Sequence, residues 1–256
     1  MLLAMDIGNT NIKNGLYEGG KLKQYWRIAT NRQYTSDEYG IVMEDMFRHV
    51  GEPIENVKGI IISSVVPTVN YTVEHMCRDF FDTTPVFVGP GIKTGINIKY
   101  ENPKELGSDR ICNAVAAYYM YGGPCIYIDF GTATSFGAVN EKGDFLGGCI
   151  CPGIKVASEA LIKNTAKLPH YELVKPEKVI GRTTVSNLQS GIIYGYVGQV
   201  EYLVDRMKEE IACSNVKVIA TGGFSHLIAT ETSAIEHIDG TLTLNGLRLI
   251  YERNKS

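Results

Sequence analysis

The chain has 256 residues, 44% of them apolar, which is enough for one large core or two modest ones. Its formal net charge of −3 comes without a long run of Lys or Arg, so no nucleic-acid partner is expected. No apolar run reaches the roughly 18–20 residues of a membrane span, and Asp6 interrupts the apolar N-terminus before a secretory segment could form, so the expectation is a cytoplasmic protein with no membrane partner.

In chain order, the first element is a short apolar run from Leu2, a buried strand, that ends in Asp6-Ile7-Gly8-Asn9-Thr10-Asn11. A carboxylate at a strand end, a glycine that permits close backbone approach, and amide or hydroxyl groups on the turn are the parts of a phosphate and cation site. Lys13 on the following strand could reach phosphates as a point charge. The Glu18-Gly19-Gly20-Lys21 turn then predicts a hairpin into a strand over Leu22 to Ile28. A helical pattern leads to a buried strand, Val57 to Ile62, closed by Ser63-Ser64, and another helical stretch leads to a strand at Val86 to Val88.

Gly107-Ser108-Asp109-Arg110 stands directly before a helix predicted over Arg110 to Tyr121, with Ser108 or Asp109 placed as its N-cap. Two readings stay open from the local sequence. Asp109 merely caps a helix beside a solvated Arg110, or Asp109 accepts a proton from a substrate hydroxyl while Arg110 fixes an anionic group.

A boundary is expected near Gly122-Gly123-Pro124, after which the chain starts again. Cys125-Ile126-Tyr127-Ile128-Asp129-Phe130-Gly131-Thr132-Ala133 repeats the apolar run ending in Asp-x-Gly, with the aspartates 129 − 6 = 123 positions apart. The same offset carries the first turn onto Glu141-Lys142-Gly143-Asp144, which predicts a second hairpin into Phe145 to Ile150. Helical sequence from about Ile154 to Leu168 and from Val185 to Ile211 reads as an insertion. A strand over Val216 to Thr221 meets Gly222-Gly223, where bare backbone would let a purine or ribose lie close, although Gly-Gly is also a common turn. A strand at Ile235 to Ile238 and a helix from Leu242 to Arg253 complete the chain.

A strand meander followed by helix-strand alternation, twice over, predicts an α/β class with a mixed sheet in each half and an interdomain cleft for a small molecule. Alone, Asp-x-Gly-x-Thr is an ordinary strand end; its duplication turns it into a candidate nucleotide site. The six cysteines (Cys77, Cys112, Cys125, Cys149, Cys151, Cys213) hold no Cys-x-x-Cys pair, so reduced thiols are expected rather than zinc or disulfides.

These residues resemble the actin, sugar-kinase and heat-shock ATPase superfamily, and within it the type III pantothenate kinases, over nearly the whole chain. Asp6-Ile7-Gly8-Asn9-Thr10-Asn11 is similar to that family's first phosphate motif, Gly107-Ser108-Asp109-Arg110 to its pantothenate-binding motif, and Asp129-Phe130-Gly131-Thr132-Ala133-Thr134 to its second phosphate motif. Gly147-Gly148-Cys149-Ile150-Cys151-Pro152-Gly153 resembles a further family motif, with Cys149 and Cys151 in its variable places.

The resemblance implies two duplicated actin-like (ribonuclease H-like) domains, 1–122 and 123–256, the second with a helical insertion at about 154–211. It implies transfer of the γ-phosphoryl group of ATP to the 4′-hydroxyl of (R)-pantothenate, the first step of coenzyme A synthesis, with Mg²⁺ and a monovalent cation, K⁺ or NH₄⁺. Asp109 is implied as catalytic base, and Asp6, Ile7, Gly8, Asn9, Thr10, Asn11, Ile12, Lys13, Gly131, Thr132, Gly222 and Gly223 as the ATP site. Tyr100, Gly107, Ser108, Asp109, Arg110 and Thr184 are the implied pantothenate contacts, with Thr183 leaving the register of Thr184 open. Asp129 is the implied ligand of the monovalent cation, Asp6 holds Mg²⁺ through water, and a homodimer is expected. A kinase of the same fold acting on a sugar and a regulatory relative without turnover are the competing readings; retention of Asp6, Asp109, Arg110 and Asp129 together argues against the second.

Overall fold

The computed structural model describes residues 1–213 and 215–255. Contacts divide the chain into two compact units, neither of them one stretch of sequence. Unit 1 takes Met1–Ile96, Glu101–Ala116 and the chain from Leu242 onward, and unit 2 takes Asn97–Tyr100 and Ala117–Thr241.

In unit 1, β1 (Leu2–Ile7), β2 (Asn11–Glu18) and β3 (Lys21–Ala29) form an antiparallel meander. The β2–β3 turn sits on Gly19 and Gly20 at φ +55° and +79°, a pair of left-handed positions that favours glycine at both. Helix α1 (Ser36–Val50) opens on a reciprocal cap, Thr35 accepting from the Glu38 amide and Glu38 from the Thr35 amide, and ends at Gly51 with φ +73°. Then come β4 (Gly59–Ser64), α2 (Pro67–Phe81) and β5 (Val86–Phe87). The sheet order is β3-β2-β1-β4-β5, with β1, β4 and β5 parallel. One face buries Leu3, Met5, Ile7, Ile60 and Ile62 against Met43 and Phe47 of α1 and Val69, Val73 and Met76 of α2.

Next in the chain, β6 (Asn97–Ile98) belongs to unit 2, and α3 (Ser108–Ala116) returns to unit 1 and continues as one wider π turn, Ala117–Tyr121, in unit 2. Unit 2 then runs β7 (Cys125–Phe130), β8 (Ala133–Val139), β9 (Asp144–Pro152), α4 (Ile154–Lys163), α5 (Thr184–Ile211), β10 (Lys217–Gly222), α6 (Ser225–Ala229) and β11 (His237–Ile238). Its sheet order is β11-β10-β7-β8-β9-β6. From β9 to β11 this is the order of the first sheet, so the 123-residue repeat in sequence is a repeat in topology. The fold is α/β, two mixed sheets flanked by helices, as the sequence predicts. Ile126, Ile128, Phe130 and Phe136 pack against Tyr196, Val197, Val200 and Val204 of α5.

The last helix, α7 (Leu242–Asn254), follows unit 2 in sequence but packs on α3, β1, β2 and β4 of unit 1. β6, which no sequence pattern announced, pairs in parallel with β9 through Asn97↔Asp144 and Ile98↔Phe145. Of the insertion, α4 stops at Lys163, short of the predicted Leu168, and α5 covers the second predicted stretch. Among the described residues, no helix is long and apolar enough to cross a membrane.

Candidate active site

In unit 1 the last residues of β1 carry Asp6, which is only 6% exposed. In register it faces Lys13 on β2 and Ser63 on β4, and its Oδ2 lies 3.5 Å from the Lys13 ammonium. Beyond it the chain turns through Gly8, Asn9 and Thr10, with the Gly8 amide donating to the Asn11 carbonyl at 3.0 Å. A Cβ on Gly8 would stand 3.2 Å from that carbonyl oxygen, a tight fit for any larger residue.

The turn is held from behind by the end of β3. Thr30 donates its hydroxyl to the Gly8 carbonyl at 2.7 Å and its amide to the Thr10 carbonyl at 3.0 Å. Arg32 reaches the Asn9 side-chain oxygen at 3.0 Å, which brings a guanidinium to the exposed side of the turn. Neither Thr30 nor Arg32 was picked out from sequence. Their signal lay in the pairing of β2 with β3, Asn11↔Ala29, which sets the next residues of both strands beside the turn.

Asp109 comes to the same end of unit 1 on the first turn of α3. The sequence placed Ser108 or Asp109 as the N-cap, and the structure differs. Ser108 is already the first helical residue, and the Gly107 carbonyl accepts from the Ile111 amide at 3.2 Å, which is the work of a cap. The Ser108 hydroxyl instead docks the helix on β4: it accepts from the Ser64 amide at 3.0 Å, donates to the Ser64 carbonyl at 3.1 Å and lies 3.0 Å from the Ser63 hydroxyl. Asp109 takes its next neighbour's amide, Arg110 N to Asp109 Oδ1, at 2.8 Å, and Arg110 itself is buried.

Cys112, one turn further, reports how close the two carboxylates are. Burial raises its thiol well above the ordinary value, and the charges of Asp6 and Asp109 both add to the rise, while a hydrogen bond to Ser63 opposes it. Asp6, Lys13, Ser63, Ser108, Asp109 and Cys112 thus form one neighbourhood.

In unit 2 the equivalent strand end carries Asp129, opposite Ser135 on β8 and Thr221 on β10. Its turn is one residue shorter: Phe130 pairs with Thr134, where Ile7 pairs with Ile12, and the Gly131 amide donates to the Ala133 carbonyl at 3.1 Å. Gly131 and Thr132 are exposed, and the Gly153 amide clamps the Thr132 carbonyl at 3.1 Å. Asp129, Ser135 and Thr221 share one face of the sheet; Thr134 shares the other with Phe130, and its hydroxyl is buried with no hydrogen-bond partner among the described residues.

Gly222 ends β10 at φ +93°, where a Cβ would meet the Phe130 carbonyl oxygen at 2.5 Å; around Gly223 the space is open. The Tyr100 segment is fixed to β9 by the Asn97 amide on the Gly143 carbonyl, the Asn97 side chain on Asp144 at 2.8 Å, and the Lys99 amide on the Phe145 carbonyl. Hydrogen bonds from Asn140 and Asn97 hold the Asp144 carboxyl below its ordinary value, and the Tyr100 ring stands 6.4 Å from that of Phe145. Thr184 is the first residue of α5 and exposed. Thr183 caps it, accepting from the Ser186 amide at 3.1 Å.

A family model described as type III pantothenate kinase matches residues 2–206. Among solved structures, a Campylobacter jejuni protein described as a Baf family transcriptional activator is 18% identical, with 98% of each chain covered and a TM-score of 0.65. A Sinorhizobium meliloti protein described as a 2-dehydro-3-deoxygalactonokinase is 9% identical, covering 99% of this chain and 96% of its own, with a TM-score of 0.61. The inorganic polyphosphate/ATP-glucomannokinase of Arthrobacter sp. strain KM is 12% identical over 98% of both chains, with a TM-score of 0.54. At these identities the structural likeness shows the fold alone.

Proposed function

The chain belongs to the type III pantothenate kinase family, ATP-dependent phosphotransferases acting on pantothenate, and from that premise we propose that Asp109 is the base that orients and deprotonates the 4′-hydroxyl. The observation that carries the assignment is the docking of Ser108 on β4, which fixes the next residue at the strand ends where Asp6 also stands. Phosphoryl transfer has a loose transition state in most analyses, so positioning and charge neutralisation supply most of the catalysis.

The Gly8 amide closes the turn on the Asn11 carbonyl, and the backbone beyond it faces phosphate oxygens in this reading, with Lys13 and Arg32 as nearby cations. In unit 2, Gly131 and Thr132 are the corresponding ATP contacts, and Gly222-Gly223 is bare backbone for the nucleoside. Arg110, with Gly107, Ser108, Tyr100 and Thr184, is the pantothenate set. Thr184 is preferred to Thr183, whose hydroxyl is occupied by the helix cap.

Asp6 already faces an ammonium at 3.5 Å, which fits a Mg²⁺ approached through its water shell better than a direct bond. Bound there, Mg²⁺ would neutralise charge on the phosphates. Asp129, with the Ser135 and Thr221 hydroxyls beside it on the same face of the sheet, is an oxygen donor set that fits a hard monovalent cation.

A homodimer is part of the same reading. Gly191, Gly195 and Gly198 lie exposed along α5, each costing helix stability of about 0.5–1 kcal/mol relative to alanine, and Val179, Ile180 and Tyr202 are more than 60% exposed. A second copy packed closely on that face would account for both.

The test is incubation with ATP, Mg²⁺ and pantothenate in potassium or in sodium, following 4′-phosphopantothenate by mass spectrometry. Product formed in potassium and not in sodium is expected. Equal product in both salts removes the cation site, and no product in either, with phosphorylation of a sugar instead, overturns pantothenate as the substrate.

A further inference from the structure

Two thiols stand side by side on β9 with no part in the kinase reading. Cys149 and Cys151 are two residues apart, so both side chains leave the strand on the same face. Both are half-buried against the core that α5 covers, and the Cys149 side chain hydrogen-bonds that of Cys151. They differ in exposure from Cys77, Cys112 and Cys125, which are fully buried; burial raises the Cys151 thiol as well, with the hydrogen bond from Cys149 opposing it.

Cys149 also opens into a groove of about 340 Å³ between β9 and the last turns of α5, lined by Leu203, Met207 and Ile211 with Arg206 at its side. The thioether of Met207 is a second soft sulfur on that groove, and Met207 packs in the same apolar cluster as both cysteines. Paired thiols, an access groove and a neighbouring thioether make a donor set for a soft ion. A closed zinc site asks for four ligands, and among the described residues no three His, Cys, Asp or Glu side chains gather. Soft thiolate and thioether ligands select Cu(I), which is content with fewer.

We propose that Cys149 and Cys151 form a binding site for Cu(I), held as a bis-thiolate with the Met207 thioether beside it. Each thiol gives its proton to solvent and each sulfur donates a lone pair to the ion, so two Cu–S bonds form, two protons leave and no electron is transferred. The site adjoins the second phosphate turn: Cys151 pairs with Thr134 and Pro152 with Ala133, and the Pro152 carbonyl is held by Tyr196 at 2.7 Å. An ion on β9 would therefore stiffen the strand that clamps that turn.

The experiment is anaerobic titration of the reduced full chain with Cu(I) in competition with a colorimetric Cu(I) chelator, alongside the ultraviolet sulfur-to-copper charge-transfer band. Withdrawal of a single equivalent is expected, retained in Cys213→Ser and lost in Cys149→Ser/Cys151→Ser. In the wild-type chain, Cu(I) should also protect both thiols from iodoacetamide, mapped by mass spectrometry, which tests the site even if the double variant fails to fold. Uptake that survives the double variant, or alkylation of both thiols unchanged by Cu(I), overturns the proposal. Neither readout depends on kinase activity.

Discussion

At Ser108 one hydroxyl joins a helix to a strand, and its bonds to Ser63 and Ser64 decide where Asp109 stands. Ser108→Ala would leave the Ser64 amide without that acceptor, which costs about 1–3 kcal/mol for a buried group. The urea midpoint should fall accordingly, and turnover should fall with it while the KM for ATP changes little, because the turn at Gly8 is held separately by Thr30. Asp109→Asn keeps the shape and removes the base. Turnover should drop by roughly 10²–10⁴, the usual loss for a general base, with nucleotide binding retained by calorimetry; an active Asp109→Asn enzyme would show that another group takes the proton. The residues at the ends of β1 and β7 were legible because their motifs are local and occur twice. Thr30 and Arg32 were not, because sheet pairing rather than chain proximity brings them to the turn.

Among the elements, α3 and α7 cross at a point where neither tolerates bulk. A Cβ on Gly246 would lie 2.0 Å from the Cys112 carbonyl oxygen, and backbone cannot swing away as a side chain would. Gly246→Ala should therefore force the helices apart and destabilise the fold by about 1–3 kcal/mol, despite alanine's better helix propensity. Chemical denaturation reads the loss, and because α3 begins with the Ser108–Asp109 step, pantothenate turnover should suffer more than ATP binding. Hairpins, strands and most helices could be read from apolar runs and turn residues. Other features escaped, and α4 ends at Lys163, short of the predicted Leu168. β6 is two residues of backbone pairing with no pattern of its own, and the start of α3 was misplaced because Ser108 looks like a cap and is used as a dock.

For the whole molecule, the buried thiols set an alkaline limit. Burial pushes Cys77 and Cys125 up from 9.0 to about 12, with the charge of Glu74 adding to the first and Lys217 opposing the second. The folded state then keeps protons that the unfolded chain releases, so stability is full below pH 9.0 and is lost progressively as the pH rises from there towards about 12. Unfolding free energy measured by urea across that range should decline, and the decline should lessen in Cys77→Ala and Cys125→Ala. A thiol reagent at neutral pH should label Cys149, Cys151 and Cys213 in the native protein and the other three only after denaturation. Topology by repetition was legible at this scale, since one offset aligned two strand-turn units. Chain order, by contrast, gives no hint that α7 closes the first sheet, because its apolar pattern would suit either.

That return of the C-terminal helix has a consequence for synthesis. All the sequence of unit 2, from Asn97 to Thr241, has been made before Leu242 is added, while unit 1 still lacks the helix that covers β1, β2 and β4. The part of the protein that the ribosome makes first is thus the part that is finished last. Until α7 emerges, the nascent chain carries a first sheet without the helix that covers β1, β2 and β4, and that face should be open to chaperones and proteases.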